Sequence, residues 1–272
     1  MSFEGLRVLS LESRRAPEIE ILIRRAGGDP FVVPSMRETP LEQNSQALSF
    51  AERLFANQFD MIILLTGVGT RLLNQVIETR WPPGTFAAAL RRVTVVARGP
   101  KPMAVMREWG VPVSILVPEP NTWREILAAT KDRPEKRVAV QEYGRPSQEL
   151  IDGLIARGAE VTSVPVYQWD LPDDLGPLRE AARRVAAGQI DVMLLTSSAQ
   201  VEHLLRVATE MDLGDAVRRA CKRIVVASIG PTTSETLAEL GLPADFEPSH
   251  PKMGLLVNET AQQARQLLQS KQ

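Results

Sequence analysis

Asp191-Val-Met-Leu-Leu-Thr-Ser-Ser198 and Ile229-Gly-Pro-Thr-Thr233 decide how this chain reads. In each, an apolar strand ends in small hydroxyl or glycine residues and runs directly into a helix. A loop of that kind leaves backbone N–H groups unpaired at a helix N-terminus, where the dipole favours anions. The pattern occurs twice more: Asp60-Met-Ile-Ile-Leu-Leu-Thr-Gly67 resembles the first stretch and Arg98-Gly-Pro-Lys-Pro102 the second.

Working outward, strands and helices alternate along the chain. Leu6 to Ser10 reads as a strand, Ala16 to Ala26 as a helix closed by Gly27-Gly28, and Phe31 to Pro34 as a second strand. Met61 to Leu65 is a continuous apolar run of the kind buried on both faces of a parallel sheet. Thr122, three residues before Glu125, has the form of a capping box. Val161 to Trp169 reads as one unusually long strand. Such alternation implies an α/β protein with parallel sheets.

Landmarks recur at an offset of 130 or 131: Arg7 and Arg137, Gly28 and Gly158, Leu64-Leu-Thr66 and Leu194-Leu-Thr196, Gly99-Pro and Gly230-Pro, Gly110 and Gly241. Five coincidences point to two similar α/β domains. A cut near residue 133 and an exchange of strands between domains both fit the repeat.

Composition limits the function. With 32 basic and 33 acidic side chains in 272 residues, nothing suggests a surface for nucleic acid or an anionic membrane, so any anion site is local. Apolar runs are far shorter than a bilayer span and the first residues lack a signal core, so the chain reads as soluble and cytoplasmic. One cysteine, Cys221, excludes an internal disulfide, and no Cys or His spacing suggests zinc. His203 and His250 read as ordinary capped or solvated imidazoles. No dinucleotide fingerprint, Walker loop or nucleophile–base constellation is present.

Four strand-end loops therefore carry the candidate site: Thr66 and Gly67, Gly99 and Lys101, Thr196-Ser197-Ser198, and Gly230 with Thr232 and Thr233. In open α/β sheets ligands bind at the carboxyl ends of strands, and a cleft between two domains would gather all four. Arg14 follows the first strand, where a guanidinium suits a carboxylate. The only tyrosines, Tyr143 and Tyr167, are the candidate proton donors, although a tyrosine in a strand is also a common packing residue.

Ile229-Gly-Pro-Thr-Thr233 leading to Leu240-Gly241, Leu195-Thr-Ser-Ser198, and Gly158-Ala-Glu-Val161 leading to Val166-Tyr167 together resemble the uroporphyrinogen-III synthase family, which converts hydroxymethylbilane to uroporphyrinogen III. The resemblance covers nearly the whole chain. It implies two α/β domains with parallel sheets joined by a two-stranded linker: residues 1–35 with 171–272, residues 40–166, and connections near 35–40 and 166–171. It further implies that no metal or cofactor is needed and that the substrate is hydroxymethylbilane, a linear tetrapyrrole rich in carboxylates; the chain is expected to act as a monomer. Tyr167 matches the family's tyrosine and would protonate the departing hydroxyl, with Thr232 or Thr233 binding carboxylate or the leaving water. Three departures stand out: Pro102 replaces a threonine, Thr66-Gly67 replaces Thr-Ser, and Leu11-Glu-Ser-Arg14 is a loose form of the usual Thr-Arg start. A non-catalytic tetrapyrrole- or anion-binding relative on the same scaffold is the competing expectation.

Overall fold

The computed structural model describes residues 2–40, 44–142, 144 and 147–271, with backbone only at 38–40, 167 and 168. The chain forms two compact units, Met1–Arg37 with Asp170–Gln272, and Glu38–Trp169. Both units are α/β. No helix among the described residues is long and apolar enough to cross a membrane.

The first unit opens with β1 (Arg7–Ser10), α1 (Ala16–Arg25) and β2 (Asp29–Val32), and β3 (Arg37–Pro40) follows. The second unit continues with α2 (Ser45–Phe55), β4 (Met61–Leu64), α3 (Gly67–Glu78), α4 (Thr85–Leu90), β5 (Thr94–Ala97), α5 (Pro100–Glu108), β6 (Ile115–Leu116), α6 (Trp123–Ala129), β7 (Arg137–Gln141), α7 (Gln148–Ile155) and β8 (Glu160–Val164). After β9 (Tyr167–Asp170) the first unit resumes with α8 (Gly176–Ala186), β10 (Val192–Leu195), α9 (Ser198–Glu210), α10 (Gly214–Cys221), β11 (Val225–Ser228), α11 (Pro231–Glu239) and α12 (Met253–Gln269).

The sheet of the first unit runs β11-β10-β1-β2, that of the second β6-β5-β4-β7-β8, and β3 pairs with β9 separately. Both larger sheets have wholly parallel ladders. Superimposing the repeats makes β1 equivalent to β7, β2 to β8, β10 to β4 and β11 to β5. Each sheet therefore changes direction of strand addition between the same two strands, β1 and β10 in one unit and β7 and β4 in the other. Ligand crevices of doubly wound sheets open at such switch points.

Alternation across each strand builds a core on both faces. In the second unit Ile62 and Leu64 pack with Phe50, Leu73 and Phe86, whereas Met61 and Ile63 face Ile126, Leu150 and Leu154. In the first, Leu9, Met193 and Val226 meet Leu178, Leu204 and Val217, and Val8, Val192 and Val225 meet Ile19, Ile23 and Leu256.

Two sequence expectations need correction. Val161 to Trp169 is not one strand: Pro165, which has no N–H for a ladder, ends β8, and β9 belongs to another sheet. The repeat also slips by one residue in its third landmark. Met61 pairs with Val138 where Val192 pairs with Val8, so Thr66 corresponds to Ser197 rather than to Thr196. Both Thr66 and Ser197 are helix N-caps, and Thr196 takes the place of buried Leu65.

The expected capping box is present. Thr122 accepts from the backbone of the first turn of α6 and Glu125 returns to the Thr122 N–H at 2.8 Å.

Candidate functional site

The switch point of the first unit lies between the loop after β1, which carries Glu12 to Arg15, and the loop after β10, which carries Thr196 to Ser198. Thr196 is clamped at its N–H and its hydroxyl. Its N–H donates to Gln200 Oε1 at 2.8 Å, its hydroxyl oxygen accepts from Gln200 Nε2 at 2.8 Å, and its O–H donates to the Glu12 carboxylate. Glu12 is only 9% exposed and also accepts from Arg15 N at 3.1 Å. That bond puts an internal carboxylate on the N-terminus of α1, leaving this terminus filled by the protein itself. Ser197 makes no side-chain capping bond to α9, and Ser198 is buried in its first turn. Arg14 is exposed in the β1–α1 loop.

The same loop is tied down from behind. Ser13 Oγ accepts from Ser35 N and Met36 N at 3.2 Å, and His203 Nδ1 lies 2.8 Å from Ser35 O. His203 thus serves as a packing contact, in line with its place on an amphipathic helix.

Beside this loop, β11 leads through Gly230 into α11, which begins with Pro231, Thr232 and Thr233. Thr233 is buried and Thr232 half-buried. Gly230 has extended backbone, and a Cβ placed there would meet only Pro251 Cβ, at an ordinary 3.5 Å. Nothing among the described residues demands glycine here. Ser228, at the end of β11, pins the turn by accepting from Gly230 N at 3.2 Å and donating to Gly230 O at 3.0 Å.

The corresponding loops of the second unit are closed by the protein's own atoms. Thr66 caps α3 by accepting from Gly69 N at 2.9 Å, and its own N–H reaches Gln141 Oε1 at 3.3 Å. A Cβ on Gly67 would lie 2.8 Å from the Lys101 carbonyl oxygen, and one on Gly99 2.7 Å from Asn121 Oδ1. These glycines permit close packing. Lys101 is exposed on α5. Pro100 and Pro102 remove two of the N–H donors that the first turn of α5 would otherwise present, whereas α11 has one proline there, Pro231, and its Thr233 N–H donates to Gly230 O at 3.1 Å. Tyr167 opens β9. Tyr143 lies outside the described residues, as does the Tyr167 side chain.

Sequence reasoning passed over Glu12, Gln200, Gln141 and Glu142. A signal existed, because Glu12 and Glu142 occupy equivalent positions 130 residues apart at the ends of β1 and β7. Glu142 is buried, and its Oε1 has no hydrogen-bond partner. Burial pushes the Glu142 carboxyl above the usual carboxylate range, against the lowering effect of hydrogen bonds from Ser163 and the Ser147 backbone. Glu12 has Thr196 as donor; Glu142 faces a chain whose equivalent residue is Leu65, which has none to give.

Two doubly wound α/β units, each with glycine and hydroxyl residues in the loops at its switch point, define a class of two-unit α/β proteins. The model of the uroporphyrinogen-III synthase HemD family matches residues 18–258, and the chain belongs to that family. A protein of Methanothermobacter thermautotrophicus, provisionally named a uroporphyrinogen-III synthase, is 30% identical over 233 residues, covering 85% of this chain and 87% of its own length. The uncharacterized protein YjjA of Bacillus subtilis is 26% identical over 261 residues, 94% of this chain and 95% of that one. Among solved structures, a mutant uroporphyrinogen III synthase of Thermus thermophilus superimposes with a TM-score of 0.71 at 23% identity, covering 98% of this chain and all of that one. It bears out the expected α/β fold.

Proposed function

We propose that this chain is a uroporphyrinogen-III synthase, cyclising hydroxymethylbilane with loss of water and inversion of the last pyrrole ring. The observation that carries this reading is the loop of Gly230, Thr232 and Thr233 at the start of α11, where a Cβ on Gly230 would have room, beside the α9 loop of Ser197 and Ser198, in a chain matched by the family model over most of its length. Such loops suit the substrate's carboxylates without a basic surface. The chemistry asked of the protein is modest. The terminal hydroxyl leaves as water after accepting a proton, the pyrrole carbon attacks through a spiro intermediate, and the inverted ring closes. Tyr167 is the proposed donor to the leaving oxygen, and the fold's contribution is to hold the bilane so that inversion outruns uninverted closure.

A coupled assay starting from porphobilinogen tests the assignment, since type III product supports it and type I product alone refutes it. Tyr167→Phe should lower turnover while leaving unfolding unchanged; full turnover would remove the phenol as the acid. Thr232→Val with Thr233→Val should raise KM. A second reading, a non-catalytic binder of tetrapyrroles or similar anions, is favoured by Pro100 and Pro102 on α5, and the type I outcome would support it.

A further inference from the structure

The Glu12–Thr196–Gln200 cluster is a polar group of the first unit, buried at Glu12 and Gln200, that the proposed reaction leaves unused. Thr196 stands at a position where the other unit has a buried leucine, Leu65. A hydroxyl there is tolerable only if satisfied, and Glu12 and Gln200 satisfy it completely. Gln200 is itself fully buried on α9, so the cluster ties the end of β10 to both its own following helix and the loop after β1. Ser197 and Ser198 come next in the chain and have no such clamp of their own.

We propose that Glu12 is a positioning residue: acting through Thr196, it fixes the strand-to-helix turn so that Ser197, Ser198 and the first N–H groups of α9 are held ready for substrate carboxylate. The proposal rests on the synthase reading for its ligand but not for its geometry. The second unit supplies the contrast. There Glu142 occupies the Glu12 position, Thr66 accepts from Gly69 N, and Leu65 replaces Thr196, so the side chain at that position offers Glu142 no donor. The chain has thus specialised one of its two equivalent switch points.

The test compares Glu12→Gln and Glu12→Ala in the full-length protein. The amide oxygen of Gln can still accept from Thr196 and Arg15, so this variant should stay within about threefold of wild type in KM and in amide exchange at residues 196–199. Ala removes both acceptors and should raise KM about tenfold with kcat within about twofold, and speed exchange at 196–199 by a similar factor. Labelling of Cys221, buried in the same unit, reports any general loosening and should stay near wild type. In a Thr196→Val background, Glu12→Ala should add little. Exchange at 196–199 unchanged in the Ala variant, or rising only in step with Cys221 labelling, would overturn the proposal. Exchange is read without turnover, so positioning is tested even if the coupled assay yields type I product alone.

Discussion

Gly67→Ala separates a packing glycine from a ligand glycine. The new methyl group would sit 2.8 Å from the Lys101 carbonyl oxygen and 3.1 Å from its carbonyl carbon, where ordinary contact begins at 3.4 Å. The obstacle is backbone at the start of α5, so α3 and α5 must part by roughly half an ångström, and overpacking of this sort costs about 1–3 kcal/mol. Little returns from helix propensity, because Gly67 is the first residue of α3 rather than an interior one. All four tryptophans, Trp81, Trp109, Trp123 and Trp169, belong to the second unit, so fluorescence-detected unfolding reads it alone. With a urea slope of about 2 kcal/mol/M, a loss of ~2 kcal/mol lowers the midpoint by ~1 M. The only cysteine, Cys221, is buried in the first unit and its thiol is pushed up to about 11 by burial, so thiol labelling reads that unit and should not change. Gly230→Ala should behave in the opposite way, with both unfolding probes at wild-type values and activity reduced. An unchanged fluorescence midpoint for Gly67→Ala would refute the packing argument, and wild-type kinetics for Gly230→Ala would refute the open loop.

Glu142→Gln should stabilise the second unit at pH 7 and not at pH 4. The folded carboxyl has a raised pKa, so it is neutral in both states at low pH, and its cost grows as pH rises from the unfolded value of about 4.3 and is full above the folded one; equal midpoints for variant and wild type at pH 7 would refute it. Asp60 behaves with the other sign: the Arg137 side chain is the main cause of its lowering to about 2, so its stabilisation is full above the unfolded pKa of about 3.9 and vanishes as pH falls through about 2. Asp60→Asn should lose about 1 kcal/mol at pH 7, the pair being partly exposed, and nothing near pH 1.5, by tryptophan fluorescence. A fragment of residues 38–169 contains every strand of the five-stranded sheet and should unfold cooperatively with native-like tryptophan emission, whereas residues 1–133 lack β7 and β8 and should not.

Much of this was legible in the chain because parallel strands buried on both faces leave strong apolar runs. Met61 to Leu65 and Val192 to Leu195 show it, and glycine and hydroxyl residues punctuate their ends. The breaks were less visible. Tyr167 and Trp169 have the β propensity to extend a strand from Val161, but one missing N–H at Pro165 outweighs it. The third landmark misled by one residue because Leu-Leu-Thr occurs in both units, while strand pairing, which a sequence does not display, sets the true register.

That slip bears directly on the site. Counted by letters, Thr66 and Thr196 are twins and both would face a ligand. Counted by pairing, the twin of Thr196 is a core leucine, and a threonine in such a place must find partners before it can serve a substrate. Glu12 looks solvated in the sequence, standing before Ser13-Arg-Arg15, yet it is buried because it is that partner. The hydroxyls proposed to meet substrate are then Ser197 and Ser198 in one unit, whereas in the other Thr66 caps its own helix and Gly67 and Gly99 lie against neighbouring atoms. Two units built to one plan thus diverge at their switch points: the first leaves Ser197 without a capping bond at α9 and has one proline in the first turn of α11, whereas the second spends Thr66 on the cap of α3 and has two prolines in the first turn of α5. If carboxylate recognition rests on the loops of α9 and α11, substitutions in the first unit should act mainly on binding and those in the second mainly on stability.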